Sequence, residues 1–294
     1  MIANPAAGRQ RANRDFSAIR SAFPSVDACN FSVTKVAGDE EKLAKAAIAS
    51  GAETVVAVGG DGTCARVADA ILKSGKPCRL GVVPTGTGND FAKVLGVSSL
   101  PVLAIAQLVK RGVSTSIDVG RVDGHYFLNS TGFGFDASVL EATQRVRFLK
   151  GDAVYIYSAL AQLFTYRGIS VGVDSETRAD ALRMLMVTVS NGRFLGGAFR
   201  IAPHASVLDG QLDFGFFGDC SLIDRMRIFA GVLRGTHLGH PSVRTERARV
   251  MSLRFSAPPM MEVDGELLQA RSSTVQIECL PRALNVIAAP GFPP

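Results

Sequence analysis

The sequence predicts an α/β N-terminal domain built on a parallel sheet, followed by an antiparallel β-sandwich domain with inserted helices. Three observations predict this. Up to about residue 115, apolar strand-like runs alternate with amphipathic helical stretches, the pattern of βα units. Beyond residue 116, short runs of β-branched and aromatic residues follow one another, with Asp123-Gly124 giving a strong hairpin signal between two of them. In the first half, three polar loops containing glycine each follow a strand, and ligands of parallel sheets bind beyond the strands' carboxyl ends. The expected boundary separates 1–116 from 117–294.

In chain order, residues 1–3 form a short strand leading into Asn4-Pro5-Ala6-Ala7-Gly8. A helix over 14–23 places Phe16, Ile19 and Phe23 on one face. A strand over 31–36 ends near Thr34, and Asp39 caps a helix over 40–50. Residues 54–58, all Val, Ala or Thr, form a buried strand, and 65–74 a helix. A strand at 80–83, a short helix after residue 91 and an amphipathic helix over 100–110 complete this half. The second half reads as strands at 117–122 and 125–130, then helices over 137–150 and 152–167. Further strands are expected at 169–174, 182–190, 211–217, 249–256, 260–263, 274–280 and 284–288. One helix, 222–233, interrupts them. Its residues Leu222, Met226, Phe229 and Leu233 read as a core-facing stripe, with membrane contact as the less favoured use.

Bulk properties exclude several classes. A hydrophobic content of 47% with 20% charged residues argues against disorder. The net charge of +6 suits anionic partners, but no Lys/Arg-rich block argues for nucleic acid. The 5 cysteines, none in C-x-x-C spacing, point to a reduced cytosol, not a disulfide framework or zinc site. His237 and His240 lack a nearby acid or cysteine in sequence and read as a surface loop. The longest uncharged apolar run, 153–166, is shorter than the roughly 20 residues that span a bilayer. Asn4 and Pro5 interrupt any signal-peptide core.

The chemistry centres on Gly59-Gly60-Asp61-Gly62-Thr63, between the strand at 54–58 and the helix at 65–74. Glycines let backbone N–H groups approach a ligand, and the helix N-terminus that follows favours negative charge. The stretch matches neither the P-loop nor the G-x-G-x-x-G pattern, so by itself it is a phosphate loop of unspecified type or a tight strand–helix turn. Pro84-Thr85-Gly86-Thr87-Gly88-Asn89-Asp90-Phe91 has the same double reading, with Asn89 as a candidate helix cap. Asp209-Gly210 and Asp264-Gly265 are first of all turns.

Taken together, Asn4-Pro5-x-x-Gly8, Gly59-Gly60-Asp61-Gly62-Thr63 and Gly86-Thr87-Gly88-Asn89-Asp90-Phe91 resemble the diacylglycerol kinase catalytic-domain family, which includes sphingosine and ceramide kinases and soluble bacterial lipid kinases. Asp118, Asn129, 132–136, Asn191-Gly192, Asp209-Gly210 and Asp264-Gly265-Glu266 look like its later landmarks. The resemblance implies an N-terminal nucleotide-binding domain similar to that of NAD kinase and phosphofructokinase, and a C-terminal lipid-substrate domain. It implies transfer of the γ-phosphoryl group of ATP, with Mg²⁺, to a lipid hydroxyl such as that of diacylglycerol. Asn4, Thr34, residues 59–63, Gly86, Thr87, Asn89 and Asp90 would contact the nucleotide. Glu266 is the first choice as general base, with Asp264 and Asp61 as rivals, and Ser206, Asp209 and Gln211 would hold a structural Mg²⁺. Work on membrane lipid implies peripheral contact at the cytoplasmic face, and a homodimer is compatible with this reading.

Two departures stand out. Many members continue the phosphate motif, after one residue, with Asn-Glu-Val, whereas here the chain runs Cys64-Ala65-Arg66-Val67, reversing a charge. The first strand is also short before Asn4, which suggests a misplaced start or a trimmed chain. A soluble NAD-kinase-type kinase and a non-catalytic nucleotide or lipid sensor stand as alternatives.

Overall fold

A computed structural model describes residues 1–24, 30–36, 38–143, 145–146, 152–173 and 182–292. The chain divides into two units, Met1–Ile117 with Arg282–Pro294, and Asp118–Pro281. Residues 282–294, expected with the second domain, group with the first unit. The last strand leaves the second unit and completes the first.

The first unit contains β1 (Ile2–Ala3), α1 (Arg11–Ala22), β2 (Ser32–Val33), α2 (Asp39–Ala49), β3 (Thr54–Gly59), α3 (Asp61–Ser74), β4 (Arg79–Pro84), α4 (Asp90–Val94) and α5 (Val102–Arg111). Its sheet is parallel, in the order β2-β1-β3-β4, and the end of β15 (Thr274–Val286) joins β4 through Asn285 opposite Arg79 and Val286 opposite Leu80. Val55 to Val58 are buried, as a β-branched run covered on both faces should be. Asp39 opens α2 but does not cap it. Gly38 is the N-cap, with φ 90°, and the Asp39 carboxylate instead accepts from the amides of Lys35 and Val36.

The second unit contains most of β5 (Thr115–Val122), β6 (His125–Phe127), β7 (Ser130–Gly134), α6 (Phe135–Thr143), α7 (Asp152–Thr165), β8 (Ile169–Val173), β9 (Leu182–Ser190), β10 (Leu212–Gly218), α8 (Leu222–Arg234), β11 (Val243–Ala248), β12 (Val250–Phe255), β13 (Met260–Val263) and β14 (Glu266–Gln269), with the start of β15. β9 pairs antiparallel with β10 along one edge and with β7 and β8 along the other. Phe127, Phe133, Val187, Phe214, Leu253 and Ile277 belong to the core beneath these strands.

The α/β and antiparallel-β architecture is as expected, but details differ. The strands expected at 274–280 and 284–288 are one strand, because Arg282, with φ 52°, carries the chain past Pro281 without ending pairing. β11 and β14 escape a pattern reading because β11 is largely charged and exposed and β14 is only 4 residues long with no alternation. Part of the helix expected over 137–150 falls on 144 and 147–150, outside the described residues, as does Cys29. His237 is buried, not in an exposed loop. Its ring stacks on Phe217, its Nε2 lies 3.0 Å from the Ile201 carbonyl, and burial pushes its pKa down.

The expected stripe on α8 divides: Phe229 packs against the core and its ring meets Phe199, whereas Leu222, Met226 and Leu233 are exposed. Ile228 and Val232 are buried, while Ile223 is exposed. The helix is apolar on more than one face, and its inner face is set by the anchor of Arg225, whose guanidinium donates to the Leu163 and Tyr166 carbonyls at the end of α7. Among the described residues no helix is long and apolar enough to cross a membrane.

Candidate functional site

In the first unit, two glycine loops meet backbone to backbone. A Cβ on Gly86 would lie 2.4 Å from the Gly60 Cα, and one on Gly60 would lie 3.1 Å from the Gly86 Cα. A Cβ on Gly59 would strike Thr63 at 2.4 Å. These glycines are therefore required by packing. At Gly62 nothing lies within 4 Å of an added Cβ, so bare backbone in the first turn of α3 borders open space. A helix N-terminus with such access suits an anion.

Asn89 ties the second loop together. Its Oδ1 accepts from the Gly86 amide at 3.0 Å and its Nδ2 donates to the Gly86 carbonyl at 2.9 Å. It makes no side-chain cap bond to α4, so the capping role expected of it is filled by a loop clasp instead, at φ 51°. Asp61 bridges the loops by accepting from the Phe91 amide at 2.9 Å. Its pKa is raised by burial, then by neighbouring Asp90, against the hydrogen bond from Phe91. Asp90 is itself paired with Lys93 at 2.8 Å. Thr87 is exposed, and Thr34 is buried with its amide donating to the Ala3 carbonyl.

Asn4 is held from three sides. Its Nδ2 donates to Glu40 Oε1 at 2.9 Å and to Thr63 Oγ1 at 3.2 Å, and its Oδ1 accepts from the Ala6 amide. Glu40 is fully buried and did not register in the sequence. It lies in an acidic first helical turn with Asp39 and Glu41, where acids are commonplace.

In the second unit, Asp264 and Gly265 have φ 44° and 86°, the two left-handed residues of a type I′ turn joining β13 to β14. The Asp264 carboxylate accepts from the amides of Leu128 (2.6 Å), Asn129 (2.9 Å) and Ser130 (3.1 Å). Its backbone amide donates to the Ser130 carbonyl. Buried Glu262 accepts from the Gly265 amide. The turn is thus fixed from both sides, and it leaves Glu266 exposed at the first position of β14, opposite Val263.

Asp118 and Asn191 organise the other loops. Asp118 Oδ2 accepts from the Gly210 amide at 2.7 Å, and Asn191 Nδ2 donates to the Asp118 and Leu128 carbonyls. In the 206–211 loop, Ser206 Oγ accepts from the Leu208 amide and Asp209 Oδ1 from the Gln211 amide. Asp209 Oδ2 lies 3.9 Å from Arg247. No cluster of three or more His, Cys, Asp or Glu is arranged to hold a metal among the described residues, so a cation in this loop would rely on carbonyls as well.

A parallel α/β unit with two glycine loops and an antiparallel β unit with a carboxylate-bearing turn match the two-part architecture expected from the sequence. Comparison with known proteins agrees. Residues 1–122 match the diacylglycerol kinase catalytic domain, and residues 129–288 the YegS C-terminal NAD kinase beta sandwich-like domain. A diacylglycerol kinase of Bacillus subtilis is 28% identical over 270 residues, covering 90% of this chain and 88% of its own. A "Probable lipid kinase YegS-like" of Pseudomonas putida is 30% identical, covering 97% and 94%. A solved diacylglycerol kinase structure from Bacillus anthracis superposes with a TM-score of 0.74 at 21% identity, over 98% of this chain and 96% of that one. The chain belongs to the diacylglycerol kinase and YegS-like lipid kinase family.

Proposed function

We propose that the protein transfers the γ-phosphoryl group of ATP to the hydroxyl of diacylglycerol or a related lipid, at the cytoplasmic face of the membrane. The observation that carries this reading is the open backbone at Gly62, set beside the Gly60–Gly86 contact at the N-terminus of α3. Residues 59–63 with Gly86, Thr87, Asn89 and Asp90 receive the phosphates there. Asn4 and Thr34 shape the same strand ends from within.

A lipid alcohol has a very high pKa, so a carboxylate must take its proton as the new bond forms. The hydroxyl oxygen bonds to the γ-phosphorus, ADP leaves, and the proton passes to the base. Glu266 is suited to that role because it is exposed, on a turn that Asp264 locks in place. Asp264 is committed to backbone amides and acts by positioning. Asp61, bonded to the second loop, works on the phosphate side. Mg²⁺ supplies charge neutralisation for the phosphates when bound. The all-oxygen set of Asp209 with the carbonyls of Ser206 and Gln211 suits a second, structural Mg²⁺.

The exposed Leu222, Ile223 and Met226 of α8, beside exposed Arg227, favour shallow membrane contact. The test is label transfer from ATP to a panel of lipids in mixed micelles, read by mass spectrometry. Transfer to diacylglycerol or a kindred lipid, lost in Asp61→Ala and Glu266→Ala, is the expected result. Label transfer that survives both changes would overturn these assignments.

A further inference from the structure

Arg66 breaks the pattern of the phosphate motif by placing a cation where an acid is common, and the structure sets a buried carboxylate from another helix beside it. Arg66 Nη1 lies 3.5 Å from Oε2 of Glu40, on a different helix. Glu40 is 0% exposed. Its other oxygen takes the Asn4 amide, and Asn4 in turn reaches Thr63 in the first turn of α3. Glu40 Oε2 also accepts from the Gly38 amide at 3.2 Å. One carboxylate therefore joins the loop after β1, the start of α2 and the helix that follows the phosphate loop.

We infer that Glu40 and Arg66 act as a pair of positioning residues for nucleotide binding, with Glu40 supplying from α2 the acid that position 66 lacks. This inference rests on the proposed nucleotide-binding role of the loops. Asn4 has its amide nitrogen on Glu40 and Thr63 and its oxygen on the Ala6 amide, so the loop after β1 is clamped to α3 through a side chain. A fully buried carboxylate needs both hydrogen bonds and a counter-charge, and Arg66 provides the second. Without Glu40, Asn4 loses its principal acceptor and the guanidinium of Arg66 loses its carboxylate. Without Arg66, Glu40 stays buried with its charge less compensated. Each single loss loosens the loops around the phosphates, whereas loss of both removes the mismatch.

The test measures binding of a fluorescent ATP analogue to the full chain, with and without Mg²⁺, together with KM for ATP and kcat on diacylglycerol in mixed micelles. Glu40→Ala and Arg66→Ala are each expected to weaken nucleotide binding about tenfold and to raise KM more than they lower kcat. Glu40→Gln, which keeps an acceptor for Asn4, is expected to lose less than Glu40→Ala. The double variant Glu40→Ala/Arg66→Ala should fall well short of the product of the single losses. Glu40→Ala/Arg66→Glu, which returns the acid to position 66, should recover affinity to within about threefold of the parent. Thermal unfolding of each variant separates a loop effect from loss of the fold. Losses that multiply, unchanged affinity in both single variants, or failure of the acid at position 66 to recover binding would overturn the inference. If nucleotide binds and responds as stated but no lipid is phosphorylated, the proposed function fails and this inference stands. If the parent binds no nucleotide, both fail.

Discussion

Two buried carboxylates in the second unit show how the same group is used in opposite ways. Asp264 accepts three backbone N–H groups from residues 128–130 and fixes the turn that carries Glu266. Asp136 is also buried, but it accepts from the Ala137 amide through Oδ1, while Oδ2 has no hydrogen-bond partner among the described residues. Burial pushes its pKa up to about 7, and its presence helps raise that of Tyr166 to about 12. A carboxylate buried with several donors serves as a fastener, whereas one buried with a single donor becomes a group that titrates near neutrality.

The sharpest way to break this contrast is Asp264→Ala. It strands the amides of Leu128, Asn129 and Ser130, and at about 1–3 kcal/mol for each unsatisfied group the expected loss is on the order of 5 kcal/mol. Urea unfolding checks it, and a loss below about 1 kcal/mol would remove Asp264 from its role as fastener.

Asp136 makes the next largest prediction. Its carboxyl holds a proton in the folded state up to about pH 7 but in the unfolded chain only up to the ordinary aspartate value of 3.8. Between those limits the folded state binds the extra proton, so stability falls as pH rises, by roughly 4 kcal/mol in all. Asp136→Asn should flatten that slope between pH 4 and 7. An unchanged slope in the variant would assign the titration elsewhere.

His237 has the opposite sense. Its folded-state pKa lies below 6.5, so the unfolded chain takes up a proton first and stability falls as pH drops through that value. His237→Phe keeps an aromatic ring against Phe217 and should reduce the acid loss between pH 7 and 5.5, read from denaturant midpoints. The smallest effect on stability belongs to Met226→Glu on the exposed face of α8. It should change the unfolding free energy by less than about 0.5 kcal/mol yet weaken sedimentation with anionic vesicles severalfold. Undiminished vesicle binding would put membrane contact elsewhere.

Much of the architecture could be read from local pattern. The buried run before Gly59 and the glycines themselves are contiguous, so strand, loop and helix announce one another. The hairpin at Asp123-Gly124 is likewise local, with both residues at positive φ. What escaped the sequence is held by partners far apart in the chain. Asp264 meets donors 134 to 136 residues away, which no turn signal reveals. Glu40 looked like one of several acids favouring a helix start, and only its contacts with Asn4 and Arg66 distinguish it from Glu41. Helix α8 was partly misread because apolar residues occupy more than one face, so periodicity alone could not say which side packs inward.

The return of β15 to the first unit has a consequence for how the molecule is made. The parallel sheet of the first unit receives Asn285 and Val286 only after the whole of the second unit, Asp118–Pro281, has been synthesised. While the intervening residues emerge from the ribosome, the edge of β4 beside Leu80 waits for its final neighbour. The second unit can close its own hydrogen bonds earlier, so of the two units the one begun first is completed last.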